Sequence, residues 1–404
     1  MTNSNEPHLH KIVCTYCGDA PLNHRVSFFT SIMDVGMDRY MSKLAKHTPV
    51  FLLSIVDDFV GGVFEIFSLF KIARFSSDMD LANTLRSRVI WEEATRRGVK
   101  MEQAIFWKQP LDYYRANIKG QTFYFKSVPI RPELSRMNNS WDDKVVLKKE
   151  LRKHNLPAPA FVELKCLSFS YLRNKDKVTE EIFSKLNKPI IVKPRVGSRG
   201  RHTVTNINTL EQFRHGVEVA KTLSPYLVVE EHLSGAVCRA TFVRGELAGF
   251  YKAEAPSITG DGKHTVKELI EEKDRTRNVK VEKIIISKEL QDHILRSGFT
   301  TEDVMPAGTV LQLTHRMGRL FGGKTKEMLG ELHPSFLPIL NKAAKMVNIP
   351  LIGFDCIVPD PTKDESSQRW GIIECNTLPF IDLHYYALEG TPKNIAGMIW
   401  EMWK

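Results

Sequence analysis

Two short apolar segments near the end of the chain constrain its fold more than any other feature. The segment LIGFDCIVPD begins at Leu351, and GIIECNTLPFIDLH begins at Gly371 after a polar connection. Apolar segments of this length, separated by turn-forming residues, are typical of neighbouring β-strands. The pattern therefore predicts two paired strands between Leu351 and His384.

These predicted strands carry three side chains with oxygen ligands. Because side chains alternate between the faces of a strand, Glu374 and Asn376 should point the same way, and Asp355 lies inside the first segment. Two carboxylates and one amide suit a hard cation such as Mg²⁺, which keeps its other positions for water and phosphate oxygens. Solvated polar residues at a strand edge are the alternative that this segment alone leaves open.

Composition and charge narrow the class of protein. The 404 residues are enough for two or three domains, and the charged fraction of 26% is that of an ordinary soluble protein. The net charge of +10 suggests anionic partners, but Lys and Arg are scattered, which favours phosphorylated or carboxylate ligands over nucleic acid. Acidic residues interrupt the apolar region 50–75, and the start of the chain lacks a signal-peptide pattern. We expect a cytoplasmic protein with no nucleic-acid or membrane partner.

The first third of the chain predicts an αβ region of unknown role over residues 1–80. KIVCTYCG is expected to form a strand, Met33 to Lys46 a helix, and Val50 to Val56 a buried strand. Phe59 to Phe75 is expected to form a core helix or a docking surface.

Cys14 and Cys17 form a C-x-x-C pair close to His8 and His10, a spacing that zinc sites also use. Because the apolar run looks like a strand and no second cysteine pair follows, the sequence favours the strand over a zinc site.

The remaining two thirds predict a second αβ region over residues 81–140 and a larger domain over 141–404, with a lid subdomain at about 188–260. A helix over 81–98 should be capped by Ser77 or Asp78, and a second helix should run from Asp142 to His154. A hairpin should turn at residues 244–246, and a helix with a capping box should begin at Thr265.

An apolar strand that contains Lys193 leads into a glycine-rich loop. Gly197, Ser198 and Gly200 would let backbone N–H groups approach a phosphate, and Lys193 and Arg199 would add positive charge. A plain hairpin is the alternative, because this loop lacks the P-loop pattern.

Several segments in one order make the chain resemble the ATP-grasp superfamily. They include DDKVVLKKELRKHNLPAP, IIVKPRVGSRGRHTV, LVVEEHLSGAVCRATFV, TGDGKHTVKELIE, FGGKTKE, GFDCIVPD and GIIECNTLP. The resemblance covers roughly residues 81–384 and is closest to the ATP-grasp module of cyanophycin synthetases and of bifunctional glutamate-cysteine ligase/glutathione synthetases. It implies an α/β (α+β) fold in which nucleotide and Mg²⁺ are held between two α+β subdomains.

The resemblance also implies roles for individual residues. It implies phosphate binding by Lys144 and Lys193, a flexible cover formed by Gly197, Ser198, Arg199 and Gly200, adenine recognition at a hinge by Glu230, Glu231 and Leu233, and Mg²⁺ binding by Asp355, Glu374 and Asn376. Two Mg²⁺ ions are expected, for which Mn²⁺ can substitute.

Three arginines complete the expected catalytic surroundings. Arg239 should lie near phosphate or acyl oxygens and, with Lys193 and Arg316, forms the predicted catalytic set. Arg316 departs from the family pattern and, with Arg319, suggests an anionic substrate, whereas exposed surface charge is the alternative.

The resemblance implies an ATP-dependent carboxylate–amine ligase that forms an amide through an acyl phosphate and releases ADP and phosphate. The partners would be a small carboxylate and an amine, such as an amino acid or short peptide. The alternative is a catalytically reduced nucleotide-binding or regulatory protein, because Val237 and Ala253 replace polar residues that the family often has. The resemblance does not transfer a substrate, and the sequence leaves the oligomeric state open, with a homodimer as one alternative.

Overall fold

The computed structural model describes residues 14–17, 22–45, 50–130, 139–197 and 200–403. The α-helices are α1 His24–Ala45, α2 Val50–Leu69, α3 Leu85–Arg96, α4 Lys144–Lys153, α5 Phe169–Arg173, α6 Lys175–Ser184, α7 Leu210–Lys221, α8 Val266–Arg275, α9 Lys288–Arg296, α10 Phe336–Val347 and α11 Ile395–Trp400. The β-strands are β1 Ala73–Ser76, β2 Lys100–Phe106, β3 Gln109–Ile118, β4 Gln121–Lys126, β5 Phe161–Lys165, β6 Ile190–Pro194, β7 Val204–Ile207, β8 Tyr226–Glu231, β9 Ala236–Val243, β10 Glu246–Ala253, β11 Ser257–Thr259, β12 Val310–Gln312, β13 Thr325–Glu327, β14 Leu351–Val358 and β15 Gly371–Asn376. They form antiparallel sheets with the orders β1-β2-β3-β4, β13-β10-β9-β14-β15, β11-β12 and β5-β8-β6-β7.

The five-stranded sheet contains the two strands that the sequence predicts most clearly. β14 pairs with β15 on one side and with β9 on the other, so the prediction of paired strands between Leu351 and His384 is confirmed. Phe354 of β14 packs edge to face on Phe242 of β9 in the core that also contains residues of α4 and α10. Because side chains alternate along a strand, Asp355 leaves this core and faces the other side of the sheet.

Local signals also place the β9–β10 hairpin and the start of α8. The hairpin turns at Arg244 and Gly245, whose positive φ angles of 51° and 82° suit a tight two-residue turn. Thr265 caps α8, and Glu268 completes the capping box. Both predictions are confirmed. The sequence alone could give them because turns and caps depend on residues close together in the chain.

The four-stranded sheet β5-β8-β6-β7 has its own apolar core, to which α6 and α7 contribute Ile182 and Phe213. The small sheet β11-β12 packs with α8 and α9 around Ile270 and Ile294. The sheet β1-β2-β3-β4 forms a further core with α3 and α11, which includes Trp91 and Trp400.

Helix α2 corrects the prediction of a buried strand over Val50 to Val56, since these residues are helical. A short apolar run fits a strand or a buried helix equally well, and packing decides between them. Gly61 lies against the Tyr124 ring, where a Cβ would come within 2.4 Å of ring carbon. Glu65 accepts hydrogen bonds from Arg115 at 2.5 Å and from the Tyr124 hydroxyl at 2.9 Å. α2 is therefore held as a helix on the sheet that begins at β1.

Two other predictions near the start of the chain are corrected. Residues 14–17 form a turn with the 3₁₀ helix Thr15–Cys17 and no strand, because the N–H of Cys17 donates to the carbonyl of Cys14 at 3.1 Å. The predicted strand residues 11–13 and Gly18 lie outside the described residues. The predicted helix from Met33 is present as α1, which already begins at His24.

The helix predicted over residues 81–98 begins later, at Leu85 in α3. Its cap is Thr84, whose hydroxyl accepts from the N–H of Ser87, whereas Asp78 caps only a 3₁₀ turn at residues 79–81. The predicted domain boundaries remain predictions. β1 precedes residue 80 but pairs with β2 after it.

None of the helices in the described ranges is long and apolar enough to cross a membrane.

We expect Phe354→Ala to destabilise the central core strongly. The Phe354 side chain is fully buried, and removing a buried phenyl ring costs about 3–5 kcal/mol in the free energy of unfolding. Phe169→Ala is the matched control, because Phe169 is 78% exposed, and it should change that free energy by less than about 0.5 kcal/mol. Urea unfolding followed by circular dichroism tests this. Equal midpoints for the two variants would contradict the assigned core.

Candidate functional site

The pairing of β14 with β15 brings the three predicted oxygen ligands together. Asp355 lies directly opposite Glu374, and Gly353 lies opposite Asn376. The Asn376 amide donates to Asp355 Oδ2 at 3.3 Å. The site therefore has two carboxylates and one amide on adjoining strands, an oxygen-only set that suits a hard divalent cation.

Arg239 extends this group from the neighbouring strand β9. Its Nη2 donates to Asp355 Oδ2 at 2.9 Å, and its Nε donates to Oδ1 of the same carboxylate. Burial lowers the pKa of Arg239, but the charges of Asp355 and Glu374 outweigh burial and raise it. The Nη1 atom is buried and has no hydrogen-bond partner within the described ranges. It is therefore a donor available to an anion.

Gly353 makes room for this arginine. A Cβ on Gly353 would lie 2.9 Å from Arg239 Cδ and 2.8 Å from Pro379 Cβ. The glycine inside the sequence LIGFD is thus a packing requirement of the site.

Lys144 joins the acids to the glycine-rich loop. Its Nζ lies 2.9 Å from Glu374 Oε1 and donates to the carbonyl of Gly197 at 2.8 Å. Burial raises the pKa of Glu374, but the charges of Lys144 and Lys193 outweigh burial and lower it. Glu374 is therefore ionised at neutral pH.

Neighbouring residues hold the first turn of α4, and with it Lys144, in place. The Asp143 carboxylate accepts from the N–H of Val145 at 2.8 Å and from Arg195 Nε at 2.7 Å. The Asp142 carboxylate accepts from the backbone and the hydroxyl of Thr377, both at 2.8 Å. The start of α4 is thus bound to the end of β6 on one side and of β15 on the other.

Lys193 on β6 belongs to a buried charge group that the sequence did not predict in full. Glu230 Oε1 lies 2.6 Å from Lys193 Nζ, and Glu230 Oε2 lies 2.8 Å from Lys148 Nζ. Burial lowers the pKa of Lys193, but the charges of Glu230, Glu374 and Asp355 raise it above its ordinary value. Lys148 lies four residues after Lys144, on the same face of α4. This spacing is the sequence signal from which the role of Lys148 could have been predicted.

Burial and the charge of Lys193 lower the pKa of Lys148 to about 8, although Glu230 opposes this. Glu230 does not restore the ordinary pKa of Lys148, because its single negative charge is shared between two ammonium groups. Burial alone would raise the pKa of Glu230, but the two lysines outweigh burial and lower the pKa to about 2. Both lysines and Glu230 are therefore mainly charged near neutral pH.

The predicted hinge residues border a cavity. Glu231 and Leu233 line a cavity of about 240 Å³ together with Lys188 and Arg369. The Glu231 carboxylate accepts from Asn187 at 3.2 Å and from Arg369. Glu230 does not line this cavity, and its carboxylate contacts Lys148 and Lys193 instead.

The glycine-rich loop is only partly described. Gly197 and Gly200 have positive φ angles of 109° and 62°, which favour glycine, whereas Ser198 and Arg199 lie outside the described residues. His315 Nε2 donates to the carbonyl of Gly200 at 3.2 Å.

Arg316 is buried, so the alternative of exposed surface charge is wrong. Its Nε donates to Glu289 Oε1 at 3.1 Å, and its Nη2 donates to the carbonyl of Tyr16 at 3.2 Å. The contacts of Arg316 are therefore with α9 and with the N-terminal turn.

Known proteins share sequence and structural similarity with this chain. No family model matches the chain. Cyanophycin synthetase of Trichormus variabilis is 26% identical over 266 residues, which cover 64% of this chain and 29% of that protein. The glutathione biosynthesis bifunctional protein of Listeria monocytogenes is 25% identical over 337 residues, 80% of this chain and 41% of that protein. A crystal structure of a bifunctional glutathione synthetase from Pasteurella multocida shares 20% identity, with a TM-score of 0.48 over 80% of this chain and 44% of that one.

These two groups of sequence relatives are the groups that the ordered motifs resemble. The predicted resemblance to the ATP-grasp superfamily is confirmed. The predicted mixed α/β fold is confirmed. The chain spans less than half the length of the curated relatives it matches.

We expect Glu230→Gln to destabilise the protein and to weaken its acid sensitivity. The pKa of Glu230 is about 2 in the folded chain against an ordinary value of 4.5, so its stabilisation is present above about pH 4.5 and is lost as pH falls towards 2. Removing one partner from a buried ion pair costs about 3–5 kcal/mol at neutral pH.

Urea unfolding at several pH values measures this, with the exposed residue Glu246 changed to Gln as the matched control. The control should follow the wild-type pH profile. A Glu230→Gln profile as steep as the wild type between pH 4.5 and 2 would contradict the assigned charge group.

Proposed function

We propose that the chain is an ATP-dependent carboxylate–amine ligase that forms an amide through an acyl phosphate. The main support is the meeting of Asp355, Glu374 and Asn376 with Lys144 and Arg239 in one polar group, of which Asp355, Lys144 and Arg239 are buried. Oxygen ligands for a divalent cation and donors for phosphate oxygens are both required in phosphoryl transfer.

Asp355, Glu374 and Asn376 would hold two Mg²⁺ ions, for which Mn²⁺ could substitute. Bound Mg²⁺ supplies positive charge that neutralises phosphate oxygens. Lys144 contacts Glu374 and Arg239 contacts Asp355. Each of these cations has further N–H groups, so each could also donate a hydrogen bond to a phosphate oxygen. The unpartnered Nη1 of Arg239 is the donor best suited to an incoming anion.

Lys144 and Lys193 would bind the nucleotide phosphates, with residues 197–200 as a cover over them. Lys144 already contacts the carbonyl of Gly197, so the loop and the lysine would move together. The cavity beside Glu231 and Leu233 is the proposed adenine pocket, bordered by polar and apolar groups alike.

The proposed chemistry has two steps. A carboxylate oxygen of the substrate attacks the γ-phosphorus of ATP, the bond to the bridging oxygen breaks, and ADP leaves. An amine then attacks the acyl phosphate carbonyl, loses a proton, and expels inorganic phosphate to leave an amide. Arg239 and Lys193 would stabilise the negative charge that develops on oxygen in these steps.

The substrates would be a small carboxylate and an amine, such as an amino acid or a short peptide. The sequence relatives are named for glutathione biosynthesis and cyanophycin synthesis, which supports this class. An anionic substrate at Arg316 is less well supported, because the guanidinium already contacts Glu289.

We expect Glu374→Gln to reduce ADP release from MgATP by at least about 100-fold, because the amide removes a charged metal ligand from the phosphate site. ADP is measured by a coupled assay, and circular dichroism checks the fold. Glu246→Gln, at the exposed first residue of β10, is the control and should keep wild-type turnover. Unchanged turnover in Glu374→Gln would overturn the assignment of the site.

A screen of amino acids and short peptides in pairs should identify combinations in which ADP release depends on both an acid and an amine. The product should have the mass of the two substrates minus one water, because the new amide replaces a carboxylate and an amine. Nucleotide binding by calorimetry without release in any pair would favour the binding-protein alternative that Val237 and Ala253 suggest.

A further inference from the structure

A second group of ligand atoms lies far from the acidic site in sequence. Cys14, Cys17, His24 and His202 each offer one atom, and these four atoms all lie within 4.8 Å of one another. Cys17 and His202 are buried, and Cys14 and His24 are partly buried. These residues come from the N-terminal turn, the first position of α1, and the connection between β6 and β7.

The distances match the edges of a small tetrahedron. Cys14 Sγ lies 3.3 Å from His202 Nε2, and Cys17 Sγ lies 3.2 Å from His24 Nε2 and 3.5 Å from His202 Nε2. Tetrahedral zinc with ordinary Zn–S and Zn–N bond lengths requires sulfur-to-nitrogen edges of about 3.6 Å. Little rearrangement would therefore bring all four atoms to one ion.

The surroundings of His202 also suit a metal ligand. Its Nδ1 lies 2.7 Å from the carbonyl of Val219 and 2.7 Å from Thr222 Oγ1. A proton on Nδ1 that is donated to this carbonyl leaves the Nε2 lone pair directed at the two sulfurs. Metal-bound histidines are usually oriented by a hydrogen bond of this kind.

Backbone contacts hold the cysteine turn beside this histidine. The N–H of Cys17 donates to Cys14 at 3.1 Å, and the N–H of His202 donates to the carbonyl of Tyr16 at 3.0 Å. The same carbonyl accepts from Arg316, and the Tyr16 hydroxyl donates to Asp292 at 2.6 Å. The turn is therefore attached to both His202 and α9.

The other cysteines provide a contrast. Cys166, Cys238, Cys356 and Cys375 lie within apolar core clusters, where cysteine behaves as a small hydrophobic residue. The sulfurs of Cys14 and Cys17 face imidazole nitrogens instead. A disulfide between these two would use both sulfurs but would not account for two converging histidines.

We propose that Cys14, Cys17, His24 and His202 bind one structural Zn²⁺ ion. Four protein ligands close a tetrahedral site, so the ion has no position for substrate. Zinc would cross-link the N-terminal turn and the start of α1 to a point two residues after Gly200, at the base of the glycine-rich loop. The turn at residues 14–17, which replaces the strand favoured by the sequence, permits this site. Its proposed histidines are His24 and His202, whereas His8 and His10 lie outside the described residues.

Metal analysis of the purified full chain after a brief chelator wash tests the proposal. We expect about one zinc per chain in the wild type, in line with the nanomolar or tighter affinity of closed sites. Cys14→Ser and His24→Gln, both at partly exposed positions, should lower bound zinc at least tenfold. The matched controls Cys166→Ser and His333→Gln should retain it, and so should Glu374→Gln, which separates this site from the proposed ligase chemistry.

Cobalt substitution of the wild type provides a measurement that does not depend on folding of a variant. Co²⁺ at this site should show the intense visible absorption of tetrahedral cobalt and a thiolate charge-transfer band, and Zn²⁺ should abolish both. Absence of stoichiometric zinc, an octahedral cobalt spectrum, or a Cys14–Cys17 disulfide in peptides from the native protein would each overturn the proposal.

Discussion

The shared ion pair of Glu230 with Lys148 and Lys193 is the interaction on which the candidate site depends. Three charges are removed from water here, and such a group is stable only while each charge keeps its partner. The partners belong to β8, α4 and β6, so the ion pair holds α4 against the four-stranded sheet. This contact sets the direction of α4 and places Lys144, one turn earlier, beside Glu374.

The two residues just before this helix contact the ends of strands in both sheets. Asp142 binds Thr377 just after β15, while Asp143 binds Arg195 just after β6. α4 therefore joins Lys193 and Glu230 of one sheet to the acids of the other, although the two sheets share no strand. Groups held in advance by such contacts need little reorganisation when charge develops on a bound phosphate, which is the general basis of electrostatic catalysis.

The N-terminal turn of residues 14–17 has a definite position relative to the rest of the molecule. Its contacts are with His202, Arg316 and Asp292, three residues on the connection after β6 and on or beyond α9. Arg316 therefore has a structural partner in the N-terminal turn. The turn that carries the C-x-x-C pair thus contacts His202, two residues after the glycine-rich loop.

The sequence by itself determined the β14–β15 pair, the β9–β10 hairpin, the capping of α8 and the facing of Asp355, Glu374 and Asn376. These features follow from alternation, turn residues and caps, which act between residues close in the chain. Only the tertiary structure decided that Val50 to Val56 is helical, that Cys14 meets His202, and that Glu230 is shared by two lysines. Those outcomes depend on contacts such as Gly61 with Tyr124, in which neither residue signals its partner because the two are far apart in the chain.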